Sequence, residues 1–465
     1  MRVCIGERVS LVSIKCVATS SSVKYVQTAG RGLRGGRAMC KMTKKSVQVL
    51  LALVAGLSLL SVSMAGLAAP DGATAAKTLD RDLEPVIVAG WMVSDLSGSP
   101  TDELFVYAYS GGSWEQIPAQ VDEVAPDGSF SSYEDGALDA NDEIVFMAKD
   151  TGEQAPADPP LNQVLTIGDK WYEIVATDPL EPTHQAWAYL VRSAALTATV
   201  PIDYVDFDAE RSRINAQTYS VGFALTHPAL GYGTLGGGGA SILDRTKVHL
   251  MCDLAFICPL NEDDLYPRPD GLVKDGPVRV IAREGRVLAY GSMTWWAPVF
   301  DIPQFLAGDV RISTDFRSTA IGSTLYSAVV PDGVTVDGEP DTVPPTPLST
   351  WWQLSTPTGT VIRVADSEPA GGTPSNFYVD NQVLDPRDTG DHRHYGETGI
   401  SIEDPDLKFT YVHVTYFLPD SQPNIGATFA GYFFEPIIVE AFLQQSSVPD
   451  WGRLYLPLVR QEAGA

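Results

Sequence analysis

The chain has 465 residues, with 32 Lys and Arg against 58 Asp and Glu, a formal net charge of −26. An apolar share of 44% excludes a disordered chain. The acidic balance excludes a nucleic-acid binder, which needs clustered Lys and Arg to neutralise phosphates, and 41 Gly with 33 Pro argue against long helical bundles.

Residues 1–41 carry eight basic residues and a single acid, Glu7, together with Cys4, Cys16 and Cys40. Lys44 and Lys45 then precede an apolar run from Val47 to Leu60, followed by the small residues Ser61, Ser63, Ala65, Gly66, Ala68 and Ala69. Basic, apolar and small segments in that order read as a secretory signal peptide. Gly66-Leu67-Ala68 and Ala73-Thr74-Ala75 both fit a cleavage site. Residues 1–68 are therefore expected to be an upstream extension, with the true start at Met42, plus the signal. The alternative is one uncleaved anchor, since the run approaches the ~18 residues a membrane span needs. After cleavage no stable membrane span remains, and the protein is expected to be secreted or held at the cell surface. Its 22 bases and 57 acids would repel polyanions and suit a neutral glycan or a cation. Cys252 and Cys258 are the cysteines left, and in an exported chain they read as one short-loop disulfide.

From Glu84 onward, short β runs alternate with Gly, Pro, Asp and Asn. The pattern predicts strands over Pro85–Ala89, Glu103–Ala108, Glu143–Met147, Trp171–Ala176 and Gln185–Arg192, enough for a small β-sandwich over residues 80–197. A second series follows: Arg279–Arg283 and Arg286–Tyr290 around a Glu284-Gly285 turn, then Thr324–Val330, Gly359–Val364, Phe409–Phe417 and Pro436–Ala441. These longer runs predict a larger sandwich, or supersandwich, of antiparallel strands over 200–445. The fold class is thus mainly β. Residues 301–308 are the one segment read as a short helical turn, and the proline-rich stretch 331–349 reads as an excursion. Gly236–Gly239 lacks the Lys and Ser/Thr of a phosphate-binding loop and reads as a plain loop. Residues 446–465 read as a linker and tail, whose Leu454–Arg460 end fits an attachment tag or an edge strand.

Three constellations could carry chemistry. In the first, Asp135, Asp139, Asn141 and Asp142 crowd around Gly136, and hard Ca²⁺ takes several oxygens from one tight loop. An EF-hand alignment places Ser131 and Tyr133 where acids belong, so the alternative is a capped surface turn. In the second, His392-Arg393-His394-Tyr395 puts two imidazoles on one face of an extended segment, with His413 a further imidazole on a predicted strand. Such residues could ligate a metal or supply acid–base chemistry, with His394 or His413 as base, Tyr395 as acid and Arg393 stabilising an anion. A salt-bridged polar loop with His413 packed in a sheet is the alternative. In the third, Trp295-Trp296 and Trp351-Trp352 are pairs on β runs. One ring of each pair would face the core and the other would face out as a platform for sugar rings. No Gly-x-Ser-x-Gly, His-Glu-x-x-His or catalytic Cys pattern supports nucleophilic or zinc-protease chemistry.

Two further stretches carry a resemblance. Trp114–Asp122 followed by Leu138–Phe146 resembles a β-rich leading module of secreted bacterial proteins of uncharacterised function. Asp275-Gly-Pro-Val-Arg279 resembles the segment that opens the large sandwich in polysaccharide-active proteins of galactose-mutarotase-like fold. The resemblance implies a supersandwich whose concave face handles sugars, and it maps no catalytic residue onto this chain. The expected function is therefore an exported carbohydrate-binding or carbohydrate-processing protein. If it is an enzyme, it is expected to be a polysaccharide lyase or glycoside hydrolase. The alternative is a non-catalytic envelope protein, Ca²⁺-stabilised through the first constellation.

Overall fold

The computed structural model describes residues 74–156, 170–223, 230–235, 240–252, 260–261, 271–282, 287–296, 299–301, 308–328, 330–337, 350–368, 373–379, 394–403 and 408–445. The expected signal segment, Cys258, the expected Glu284-Gly285 turn, Gly236–Gly239, His392, Arg393 and the expected 446–465 tail lie outside them.

The strands come in two runs. The first is β1 (Pro85–Ala89), β2 (Leu104–Ser110), β3 (Ser113–Ile117), β4 (Gln120–Asp122), β5 (Glu143–Met147), β6 (Lys170–Thr177) and β7 (Gln185–Arg192). The second opens with β8 (Val205–Asp208), β9 (Arg213–Ala216), β10 (Tyr219–Phe223), β11 (Leu230–Leu235), β12 (Leu243–Cys252) and β13 (Leu260–Asn261). It continues through β14 (Leu272–Asp275), β15 (Arg279–Ala282), β16 (Val287–Tyr290), β17 (Met293–Trp296), β18 (Val299–Asp301), β19 (Gly308–Arg317) and β20 (Ser323–Ser327). It closes with β21 (Val330–Val336), β22 (Trp351–Thr356), β23 (Gly359–Glu368), β24 (Thr373–Val379), β25 (His394–Glu403) and β26 (Lys408–Leu418). A helix, α1 (Gly426–Phe434), and a last strand, β27 (Ile438–Gln445), follow.

These strands form four sheets, stacked as layers. A five-stranded sheet (β27-β6-β7-β2-β3) faces a three-stranded one (β1-β5-β4). Small side chains on its inner face, Ala176, Ala186 and Ala188, let the two sheets approach, and Val86, Val88, Ile144 and Phe146 fill the space between. The three-stranded sheet is apolar on both faces. Its other side, with Val145 and Met147, packs on the back of a ten-stranded sheet running from β14 to β21 through β26 and β23. The front of that sheet faces a nine-stranded sheet running from β24 to β8 through β19 and β12, and the largest core lies between the two. The mainly β, sandwich-built fold expected from the sequence is what the chain forms. No helix of the described residues is long and apolar enough to cross a membrane.

Three elements differ from expectation. Asp301 and Gly308 belong to β18 and β19, so the bounds of the expected helical turn are strand, and residues 302–307 lie outside the described chain. The start of the expected proline-rich excursion, Pro331 to Val336, belongs to β21. The strand expected to close the larger sandwich, β27, instead pairs with β6 along eight residues, Ile438↔Thr177 through Gln445↔Lys170, and so completes the sheet that begins with β2 at Leu104.

The helix was not legible because it carries no side-chain N-cap of its own. Its caps come from distant strands and loops. Gln353 Oε1 on β22 accepts hydrogen bonds from Ile425 N at 2.8 Å and Gly426 N at 2.9 Å. At the other end, buried Arg81 donates to the carbonyls of Tyr432 and Glu435, at 2.8 and 2.7 Å. Arg81 is neutralised in turn by Glu84 and by Asp178 at 3.2 Å.

Candidate functional site

The two motifs that carried the resemblance meet at one point. Gln120 Oε1 accepts hydrogen bonds from Val278 N and Arg279 N, at 2.9 and 2.8 Å. Arg279 donates to Asp122 at 2.8 Å, Glu143 at 2.6 Å and the Tyr290 hydroxyl at 3.0 Å. A Cβ on Gly276 would meet the Gln120 side chain at 2.5 Å, so a glycine is needed beside it. Every polar group of this buried node has partners within the chain. It ties the three-stranded sheet to the ten-stranded one, which makes it a joint and not a ligand site.

A second buried polar cluster, inside the large sandwich, is different. On β23 the inner face carries Val361, Arg363 and Ala365, and on β26 it carries Tyr411, His413, Thr415 and Phe417, while Ile362, Val364, Val414 and Tyr416 fill the opposite core. Arg363 is directly opposite Thr415, and Ala365 is opposite His413, so Arg363 and His413 are diagonal neighbours. Arg363 is 2% exposed and spans the sandwich, donating to Thr314 on β19 and to Thr415 at 3.2 Å. Its guanidinium lies 5.2 Å from the centre of the Trp352 ring. Its Nη2 has no hydrogen-bond partner, and neither ring nitrogen of His413, which is 1% exposed, has one. Thr246, Thr294 and the Trp296 indole nitrogen on the facing inner surfaces are also unpartnered. Burial pulls the Arg363 pKa down to about 10. Burial first, and the Arg363 charge second, hold His413 well below its usual pKa, as a neutral imidazole.

A cavity of about 50 Å³ opens beside this cluster. Arg363, Trp352 and Tyr411 line it from one sheet, and Thr314, Asn376 and Tyr378 from the other. It combines aromatic faces, hydroxyls, an amide and a guanidinium.

Of the expected site residues, His413 thus sits in this cluster. His394 begins β25 in the other sheet, its backbone paired with Arg317, and nothing is described of the side chains of His394 and Tyr395. The outward Trp platform is not found. Trp296, Trp351 and Trp352 are buried and Trp295 is half-buried, because both faces of the ten-stranded sheet are covered by other layers. Trp352 nonetheless reaches the cavity wall.

The acidic constellation divides in two. Asp142 is fully buried and accepts from Val124 N at 3.1 Å and Asp139 N at 2.6 Å, while the Asn141 amide donates to the Val124 carbonyl. Both residues fold the loop. Asp135 and Asp139 are exposed, and Glu123 joins them with a carboxylate oxygen of each within 4.8 Å of the others. Burial, and then the nearby Asp142, Asp135 and Asp139 charges, push the Glu123 carboxyl above its usual pKa.

Sequence reasoning missed Arg363. The available signal was a charged residue inside Val361-Ile-Arg-Val364, a run apolar on both sides and therefore buried on both faces. The chain matches no protein-family model and no curated protein.

Proposed function

We propose that the protein is an exported carbohydrate-handling β-sandwich protein, which engages its glycan at the mouth of the inter-sheet cavity. The observation that supports this is the cavity lining. Trp352, Tyr378 and Tyr411 offer flat apolar faces, while Thr314, Asn376 and Arg363 offer the hydrogen-bonding groups that hydroxyls require. The test is a thermal-shift screen of the full chain against soluble polysaccharides and their monosaccharides. A ligand at a hundred times its Kd stabilises by about 2.7 kcal/mol. At least one glycan is expected to raise Tm, and Asn376→Ala, at the half-buried cavity wall, is expected to weaken that ligand by about tenfold, the loss of one well-placed hydrogen bond. No shift with any glycan would end this reading.

A second reading, a Ca²⁺-stabilised envelope protein, is favoured by the convergence of Glu123, Asp135 and Asp139. Here Ca²⁺ raises Tm where Mg²⁺ does not, because a loop of three carboxylates suits the larger, less geometrically demanding ion. Asp135→Asn with Asp139→Asn abolishes the effect. A Tm indifferent to EDTA and Ca²⁺ rules it out.

A further inference from the structure

We propose that the inter-sheet cavity is an oxyanion pocket, in which the Arg363 guanidinium receives the carboxylate or sulfate ester of an anionic glycan. The inference rests on the carbohydrate reading for the body of the ligand, and on Arg363 alone for its charge.

Four cationic side chains are buried among the described residues, and three of them are neutralised. Arg81 meets Glu84 and Asp178, Lys247 meets Asp315 at 2.9 Å, and Arg279 meets Asp122 and Glu143. Among the described residues Arg363 meets two threonine hydroxyls and the face of Trp352, which supply dipoles and a quadrupole but no counter-charge. Among the described residues every other buried cation is paired, while this one has no carboxylate partner and stands on a cavity wall. A buried charge without a partner is costly to keep, so an unpaired guanidinium in a cavity is a group held ready for an anion. Its planar fork fits a carboxylate or sulfate with two parallel hydrogen bonds, and Nη2 is still free to make one. His413, the diagonal neighbour, lies behind the cavity wall and carries one donor and one acceptor without a partner among the described residues.

Size decides how much of the ligand enters. One water needs roughly 10–15 Å³ of such space, so about 50 Å³ takes three or four non-hydrogen atoms. That is the volume of an acid group and not of a sugar ring, which stays at the mouth. The acidic surface does not cancel the site, because surface charges are screened over about 8 Å at physiological salt.

The experiment titrates the full chain with glucose, glucuronate and glucose 6-sulfate at matched ionic strength, in wild type, Arg363→Lys and Arg363→Met. An anionic sugar is expected to bind at least tenfold more tightly than glucose. Arg363→Met is expected to erase that preference, and Arg363→Lys, which keeps the charge but not the fork, to reduce it severalfold. If Arg363→Met does not fold, competition by acetate and by sulfate on wild type, read beside Arg363→Lys, replaces it. Equal binding of acidic and neutral sugars overturns the oxyanion pocket while leaving the carbohydrate reading intact. A preference that survives both substitutions overturns it too. Protection by acetate or sulfate that depends on Arg363, with no response to any sugar, supports the pocket and overturns the carbohydrate reading.

Discussion

At the residue scale, this chain places its buried charges in two ways, and the difference is measurable. Arg279 is the satisfied kind. Arg279→Met would leave Asp122 buried with the Gln120 amide, which donates to it at 2.8 and 3.0 Å, and with Lys274 as its remaining described cation, 3.7 Å away. Removing one partner of a buried pair costs about 3–5 kcal/mol, and Lys274 sets the expectation at the lower end, read as a drop in the urea midpoint. An unchanged midpoint would show that the joint carries no stability. Glu84 supplies the pH dependence. Burial pushes its pKa up to about 7, against the Arg81 charge that lowers it. A carboxyl whose pKa is raised on folding contributes fully below its unfolded value near 4.5, and that contribution is lost as pH rises through about 7. Stability attributable to Glu84 should therefore fall between pH 4.5 and 7, by a few kcal/mol in all. Glu84→Gln, with Asp178 still beside Arg81, should flatten the profile over that window. A slope retained in the variant would place its origin elsewhere.

At the scale of elements, strand identity was readable wherever one run met one sheet. Pro85–Ala89, Glu143–Met147 and Gln185–Arg192 coincide with β1, β5 and β7, because alternation and β-branched residues state the period locally. Helix α1 was not readable, since its caps, Gln353 and Arg81, are supplied by tertiary structure and its sequence is rich in Gly and Phe. Its seat is equally non-local. A Cβ on Gly426 would lie 2.1 Å from the Trp351 ring, so Gly426→Ala must displace either the helix or a buried indole. The expected cost is about 1–3 kcal/mol, even though alanine has the better helix propensity. A stabilised Gly426→Ala variant would mean that the helix does not pack there. The candidate site was half legible for the same reason. His413 stood out by residue type, and Asp135 with Asp139 by clustering. Arg363 and Glu123 gained their meaning only from the strand across the sandwich and from the fold of a loop. The Trp pairs misled because the rule of one ring in and one ring out assumes a sheet with a free face, and the ten-stranded sheet has none at those positions.

At the scale of the whole molecule, the last strand of the described chain is tied back into the first run of strands, and the quality of the tie can be judged. β27 adds eight register positions to β6, but its side chains are poorly covered: Ile438, Phe442 and Leu443 are exposed, and only partly buried Val439 and Ala441 pack inward. Apolar burial of that size is worth about 1–2 kcal/mol, so ending the chain at Pro436 should lower stability only modestly. The larger consequence concerns the edge. β6 is buried on both faces, with Trp171 and Val175 on one and Tyr172 and Ile174 on the other, so removal of β27 exposes a long apolar strand with unpaired backbone groups. Such an edge recruits another copy of itself. The truncated chain is thus expected to keep most of its thermal stability, yet to show concentration-dependent light scattering at protein levels where the full chain remains dispersed. If instead it stays dispersed but melts many degrees lower, β27 acts mainly through packing and the edge argument fails. The exposed apolar residues of β27 would then be incidental to how the sheet is closed.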